Sequence, residues 1–181
     1  MADQALTAQL QTAGYWLATA ESLTGGLLGA ELTETPGASE SYLGGVVAYQ
    51  NNVKQELLGV SGSLMAQQGA VDAEVAAQMA NGVRARFAKI NQLPAEKVIG
   101  VSTTGVAGPD QSEGKRPGTV FIGVSSAAGD AVYAHDLATC CEVATCTAFE
   151  TTFPTTPTGF AATDVSATTV AGVGLTCDAE A

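Results

Sequence analysis

Strand-like and helix-like stretches alternate along this chain, which predicts an α/β fold: a sheet of mixed direction covered by helices. Three observations carry that expectation. Apolar runs of strand length recur at residues 15–19, 43–49 and 97–103, with helical patterns between them. A serine and two glycines, in Ser22-Leu23-Thr24-Gly25-Gly26, stand where the first of these strands gives way to a helix. Two further strand-like runs, 118–124 and 131–135, face each other as a hairpin and add antiparallel pairing.

Each element has a local reason. Ala5, Leu6, Leu10 and Ala13 fall at helical spacing and Gly14 suits the position just past a helix end, so a helix opens the chain. The strand at 15–19 leads into the Ser22 corner. Leu27-Leu28-Gly29-Ala30-Glu31-Leu32 then starts a helix reaching about Glu34. Pro36-Gly37-Ala38-Ser39 is a turn. After the second strand, Asn51 or Asn52 caps a short helix carrying Lys54, Leu57 and Leu58. Asp72 caps a longer helix whose stripe is Val75, Ala76, Met79, Ala80, Val83 and Phe87, with Met79 a core residue. The strand at 97–103 runs into the Gly-rich loop Thr104-Gly105-Val106-Ala107-Gly108-Pro109-Asp110, and the hairpin turns around Ala128-Gly129-Asp130.

Composition narrows the function. The chain has 181 residues, enough for one domain with a sizeable core. Its net charge of −11 excludes a nucleic-acid partner bound through a basic face, yet two or three local cations would still hold one phosphate. No apolar stretch approaches a membrane span, and no basic segment precedes an apolar one, so a cytoplasmic protein is expected. The four cysteines, Cys140, Cys141, Cys146 and Cys177, fit no zinc spacing, and the single histidine, His135, reads as a strand residue; neither a metal nor a disulfide framework is expected. From Ala138 onward there is no lysine or arginine, while threonine and alanine dominate. This divides the chain into a domain at 1–137 and an atypical Thr/Cys-rich tail at 138–181.

Three polar loops leave strand ends, around Ser22, around Tyr49 to Lys54, and around Thr104, and α/β sheets collect their sites there. Ser22 reads either as a helix cap or as a nucleophile whose oxyanion the following helix turn would hold. A serine nucleophile needs a base. With His135 inside a strand, the chemically sensible base is Lys54, the only lysine in the first 88 residues; its other reading is a solvated helix lysine. Glu21 orients Lys54 or a substrate, or caps the next turn. Tyr49 donates to Ser22 or packs beside the sheet.

The motifs taken together go further. Ala20-Glu21-Ser22-Leu23-Thr24-Gly25-Gly26, Pro36-Gly37-Ala38-Ser39 and Gly45-Val46-Val47-Ala48-Tyr49-Gln50-Asn51-Asn52-Val53-Lys54 come in order, followed by Gly69-Ala70-Val71, the loop at 104–110 and Pro117-Gly118-Thr119-Val120. Over about residues 5–137 the chain strongly resembles the CinA C-terminal domain family, the PncC-type nicotinamide-nucleotide amidases. The resemblance implies a three-layer α/β/α fold with a mixed, mainly parallel sheet. It also implies a metal-free, cofactor-free amidohydrolase that converts nicotinamide mononucleotide into nicotinate mononucleotide and ammonia. Ser22 matches the nucleophile, Lys54 the general base, Tyr49 a tyrosine beside them and Thr104 an active-site threonine. Glu21, Thr24, Gly25, Gly26, Gly45, Asn51, Gly105, Ala107 and Gly108 are the expected substrate contacts, with loop 105–109 close to the ribose phosphate. The expected partners are that small-molecule substrate and further copies of the chain in a homo-oligomer.

Two departures stand out. Gln111-Ser112-Glu113-Gly114 replaces a glycine pair, a loop variation. The tail lacks the family's arginine-bearing last helix, and Pro154, Pro157 and paired threonines oppose helix formation. The tail is therefore expected to be out of frame or disordered. The alternative functions are a non-catalytic nucleotide-binding or regulatory module and an inactive product of a frameshifted gene.

Overall fold

The structure, a computed structural model, describes residues 6–135, so the expectations about the tail lie outside the described residues. Its centre is a five-stranded sheet in the order β2-β1-β3-β4-β5. The strands are β1 (Trp16–Glu21), β2 (Tyr42–Val47), β3 (Val98–Gly105), β4 (Val120–Ser126) and β5 (Gly129–His135). β1 pairs in parallel with both β2 and β3; β4 is antiparallel to β3, and β5 returns antiparallel to β4. The sheet is therefore mixed, with β4 alone reversed.

Alternation along β1 sends its side chains into two separate cores. Ala18 and Ala20 join Leu58, Val60, Met65, Val75, Met79 and Val83 on one face. That face is covered by α3 (Asn51–Leu58), α4 (Gly62–Gln68) and α5 (Ala73–Ile90). Leu17 joins Leu10, Leu28, Leu32 and Ile99 on the other, beneath α1 (Leu6–Ala13) and α2 (Leu27–Glu34). This is the three-layer α/β/α arrangement. No described helix is long and apolar enough to cross a membrane.

α5 lies unusually close to the sheet because glycines make room for it. A Cβ on Gly100 of β3 would strike the Ala80 carbonyl, and one on Gly123 of β4 the Ala76 carbonyl. Between them Ser102 Oγ donates to the same Ala76 carbonyl at 2.6 Å. Gly82 plays the equivalent part on the outer side of α5, where a Cβ would run into the backbone carbonyl of Leu58. Backbone cannot yield as a flexible side chain does, so Gly82→Ala is expected to push α3 away. The cost should be about 1–3 kcal/mol in a urea unfolding curve; an unchanged midpoint would show that the two helices separate freely.

Several local expectations need correction. α4 has no counterpart in the sequence reading: Ser61 Oγ accepts from Leu64 N–H and starts a helix that buries Met65. α3 is preceded by Gln50, which makes no side-chain cap; Asn51 is already helical and Asn52 Oδ1 only accepts from the next N–H, that of Val53. The hairpin turns at Ala127 and Ala128, because Ser126 pairs with Gly129. Asp72 does cap α5, accepting from Glu74 N–H at 2.8 Å.

Candidate active site

The chain order places a site before any side chain is considered. From β1 the chain moves to one side through α2 to β2. It later returns through α3, α4 and α5 to β3 on the other side of β1. The carboxyl end of β1 is thus a switch point, flanked by the carboxyl ends of two parallel neighbours. Ser22 is the first residue past it.

Glu21 points towards α2, and the strand alternation turns Ser22 the other way, towards α3. The Ser22 N–H continues the sheet ladder by donating to Thr103 O at 2.9 Å, which sets Ser22 alongside Thr104. Lys54, one turn into α3, reaches back across the gap. Its Nζ donates to Ser22 Oγ at 3.1 Å and to the Tyr49 carbonyl at 3.0 Å. Lys54 is the largest fully buried side chain described, 1% exposed, and Ser22 is 7% exposed. Burial lowers the Lys54 pKa from the usual lysine value, with the charge of Glu113 opposing that shift. A lysine whose pKa is lowered by burial, hydrogen-bonded to a serine hydroxyl, pairs a candidate base with a candidate nucleophile.

Glu21 has a different task. Its Oε2 accepts from Gly26 and Leu28 N–H, both at 3.0 Å, and its Oε1 from Gly29 N–H at 2.8 Å. This carboxylate, and not Ser22, satisfies the start of α2, whose N-cap residue Gly26 has no side-chain cap. The cap reading of Ser22 is therefore overturned. So is the idea that α2's first turn is open to an oxyanion, and the Glu21 carboxylate, 2% exposed, takes the capping role the sequence offered it. Gly25 N–H is likewise taken by Ser22 O. The N–H groups of Leu23 and Thr24 have no partner among the described residues, so they are the donors beside Ser22 that remain open.

The other expected site residues divide clearly. Tyr49 serves through its carbonyl; its side chain is 67% exposed and does not bond Ser22. Thr104 adjoins Ser22, but its hydroxyl donates to Ala70 O at 2.8 Å, so it fastens the 69–71 segment and is not a free oxyanion donor. Thr24 Oγ1 bonds Thr103 Oγ1 at 2.7 Å. Gly45 adjoins Thr19 inside the β1–β2 pairing, and a Cβ there would meet the Thr19 and Tyr42 hydroxyls, so it is a packing glycine. Gly105 allows Thr119 O and the Leu23 side chain to approach. Ala107 and Gly108 are exposed in the loop beyond β3, and Asn51 is exposed at the first position of α3.

A model of the CinA C-terminal domain matches residues 1–153. The chain belongs to the CinA C-terminal domain family. Relatives of this family named competence-damage inducible protein include one from Desulforamulus reducens, 46% identical over 127 residues, 70% of this chain and 29% of the relative. Another, from Bacillus mycoides, is 49% identical over 115 residues, 64% of this chain and 26% of the relative. The chain thus spans less than a third of the curated relatives it matches. Among solved structures, the competence/damage inducible protein CihA from Agrobacterium tumefaciens superposes with a TM-score of 0.62 at 32% identity, covering 72% of this chain and 75% of that one. A CinA superfamily protein from Escherichia coli superposes at 0.63 with 27% identity, covering 71% of each.

The residue that sequence reading missed at this CinA-type site is Glu113. It lies in the stretch read as a loop variation, and its Oε2 accepts from Ala70 N–H at 2.7 Å and Val71 N–H at 3.3 Å. The only sequence signal was Gly114, a glycine suited to the tight turn between Ser112 and Lys115.

Proposed function

We propose that the Ser22–Lys54 pair hydrolyses a carboxamide, and that its substrate is nicotinamide mononucleotide, giving nicotinate mononucleotide and ammonia. The observation that carries the chemistry is the buried Lys54 Nζ at 3.1 Å from Ser22 Oγ, in a setting that lowers its pKa. The choice of substrate follows the family resemblance. Neutral Lys54 takes the hydroxyl proton as Ser22 Oγ bonds to the amide carbon. The oxygen of the tetrahedral adduct is held by Leu23 and Thr24 N–H. Lys54 then returns the proton to the leaving nitrogen, the C–N bond breaks and ammonia departs. Water, deprotonated by Lys54, cleaves the acyl-serine ester to give the acid and restore Ser22.

The test is incubation of the 181-residue chain with nicotinamide mononucleotide, following ammonia and nicotinate mononucleotide together. Stoichiometric appearance of both is expected. The base must be neutral to act, so kcat/KM should rise with pH and level off above the Lys54 pKa, at lower pH than a free lysine would require. Substrate binding without ammonia, detected by calorimetry, would replace the amidase with a nucleotide-binding module.

A further inference from the structure

Residues 106–119 form a long connection from β3 to β4, and its middle folds into a small clasp. Ser112 and Lys115 pair through both backbone bonds, Ser112 N–H to Lys115 O at 3.1 Å and Lys115 N–H to Ser112 O at 2.9 Å. The turn between them puts Glu113 at φ 53° and Gly114 at φ 76°, both in the left-handed region. Glu113 is one of two non-glycine residues described with positive φ, a conformation that needs tertiary support in a glutamate. The support is visible. Glu113 Oε2 takes the N–H groups of Ala70 and Val71, and Lys115 Nζ donates to Gln68 O at 2.9 Å. Gly69 is required here too: a Cβ on it would collide with the Glu113 carboxylate.

The segment gripped by the clasp is tied to the site. Ala70 O accepts the hydroxyl of Thr104, which lies alongside Ser22. A continuous path therefore runs from the Glu113 carboxylate through Ala70 and Thr104 to the end of the strand ladder that holds Ser22. We infer that Glu113 is a positioning residue of the Ser22–Lys54 site: its carboxylate latches loop 106–119 onto the 69–71 segment, whose Ala70 carbonyl holds Thr104 beside Ser22. The inference rests on the Ser–Lys reading of the site and gives that reading a control element.

The charge of the same carboxylate supports this reading. Glu21 is turned onto the α2 N–H groups. Asp72 and Glu74, at the start of α5, accept from Glu74 N–H and Gln78 Nε2. The Tyr49 phenol is exposed, and Lys115 is held on Gln68 O. Among the ionisable groups described, Glu113 is the one whose charge acts on Lys54, and it favours the ammonium form against burial.

Latch and charge are separable by substitution, because both bonds from the 69–71 segment end on the same oxygen, Oε2. Glu113→Gln keeps an oxygen there and loses only the charge; Glu113→Ala loses both. The measurements are the Lys54 titration, followed by NMR on protein labelled at lysine Cε, and amide exchange at Ala70 and Val71. The Lys54 signal is assigned with Lys54→Arg, and neither readout requires turnover. In Glu113→Gln the Lys54 midpoint should move to lower pH while exchange stays slow. In Glu113→Ala the midpoint should move the same way and exchange at Ala70 should quicken about ten- to a hundredfold, as for loss of a hydrogen bond to a charged group. An unmoved midpoint in Glu113→Gln, or unchanged exchange in Glu113→Ala, overturns the inference. Parallel ammonia assays report separately on the amidase: if they fail while the titration shifts, the substrate reading falls and the role of Glu113 stands.

Discussion

Lys54→Met is expected to abolish amide hydrolysis and at the same time to make the protein more stable. The first effect follows from the mechanism. Without a base at 3.1 Å the Ser22 hydroxyl keeps its proton at neutral pH, and nothing delivers a proton to the leaving nitrogen. Removing one member of a nucleophile–base unit costs about 10⁴–10⁶ in kcat, and the losses do not add. Ser22→Ala should therefore fall to the same floor, and the double variant should go no lower. The second effect follows from burial. Folding lowers the Lys54 pKa, so the unfolded chain binds more protons than the folded one between the lowered value and the ordinary lysine value of about 10.4. Stability supplied through this group hence rises with pH across that window, and below it the buried ammonium is a liability. Methionine has a similar length and no charge, so at pH 7 it should stabilise by about 0.5–2 kcal/mol, the common signature of relieving a functional site. A calorimetric melt beside an ammonia assay reads both. Retained turnover would remove Lys54 from the reaction; a lower melting temperature would show that its hydrogen bonds to Ser22 and Tyr49 outweigh its desolvation.

What the sequence revealed and what it concealed follow one physical division. Periodicity is local, so the α5 stripe from Val75 to Phe87 and the apolar β1 and β3 strands were legible, and with them the mixed sheet. The Ser22–Lys54 meeting was legible as chemistry, because a serine without an available histidine leaves few bases to choose from. Its geometry was not. Whether Lys54 lies in solvent or against Ser22 depends on the turn of α3 against β1, which no local pattern encodes. The competition for backbone donors was equally hidden. A Ser before a helix and a Glu before that Ser both read as caps, and only the fold shows that strand alternation turns Glu21 onto α2 and Ser22 away from it. Glu113 lay deepest, since its value comes from meeting residues more than forty positions earlier.

That division of labour between neighbouring residues makes Glu21 the second position where a large effect is expected, on stability instead of chemistry. Glu21→Ala removes a buried carboxylate that accepts three N–H groups at the start of α2 and faces the positive end of its dipole. The donors at Gly26, Leu28 and Gly29 then lose their acceptor, and the bond at Leu28 is buried. Each orphaned group costs about 1–3 kcal/mol, less than additively when the helix start frays to reach water, so a loss of about 3–5 kcal/mol is expected. That is a large part of the roughly 5–15 kcal/mol that holds a domain together. Glu21→Gln separates a cap from a substrate ligand. Its amide oxygen can take the Oε2 position and keep the Gly26 and Leu28 bonds, while its NH₂ faces the Gly29 N–H and loses that one. Stability should then fall by only about 1–3 kcal/mol, with kcat/KM per folded molecule close to the parent value. Urea unfolding followed by circular dichroism, with activity normalised to the folded fraction, tests both variants. If Glu21→Gln instead raises KM sharply in a fully folded protein, the carboxylate is binding substrate and α2 must find its cap elsewhere. If Glu21→Ala unfolds at the parent urea midpoint, the three bonds to α2 contribute nothing net, and Ser22 is held in place without them by its bonds to Thr103, Gly25 and Lys54.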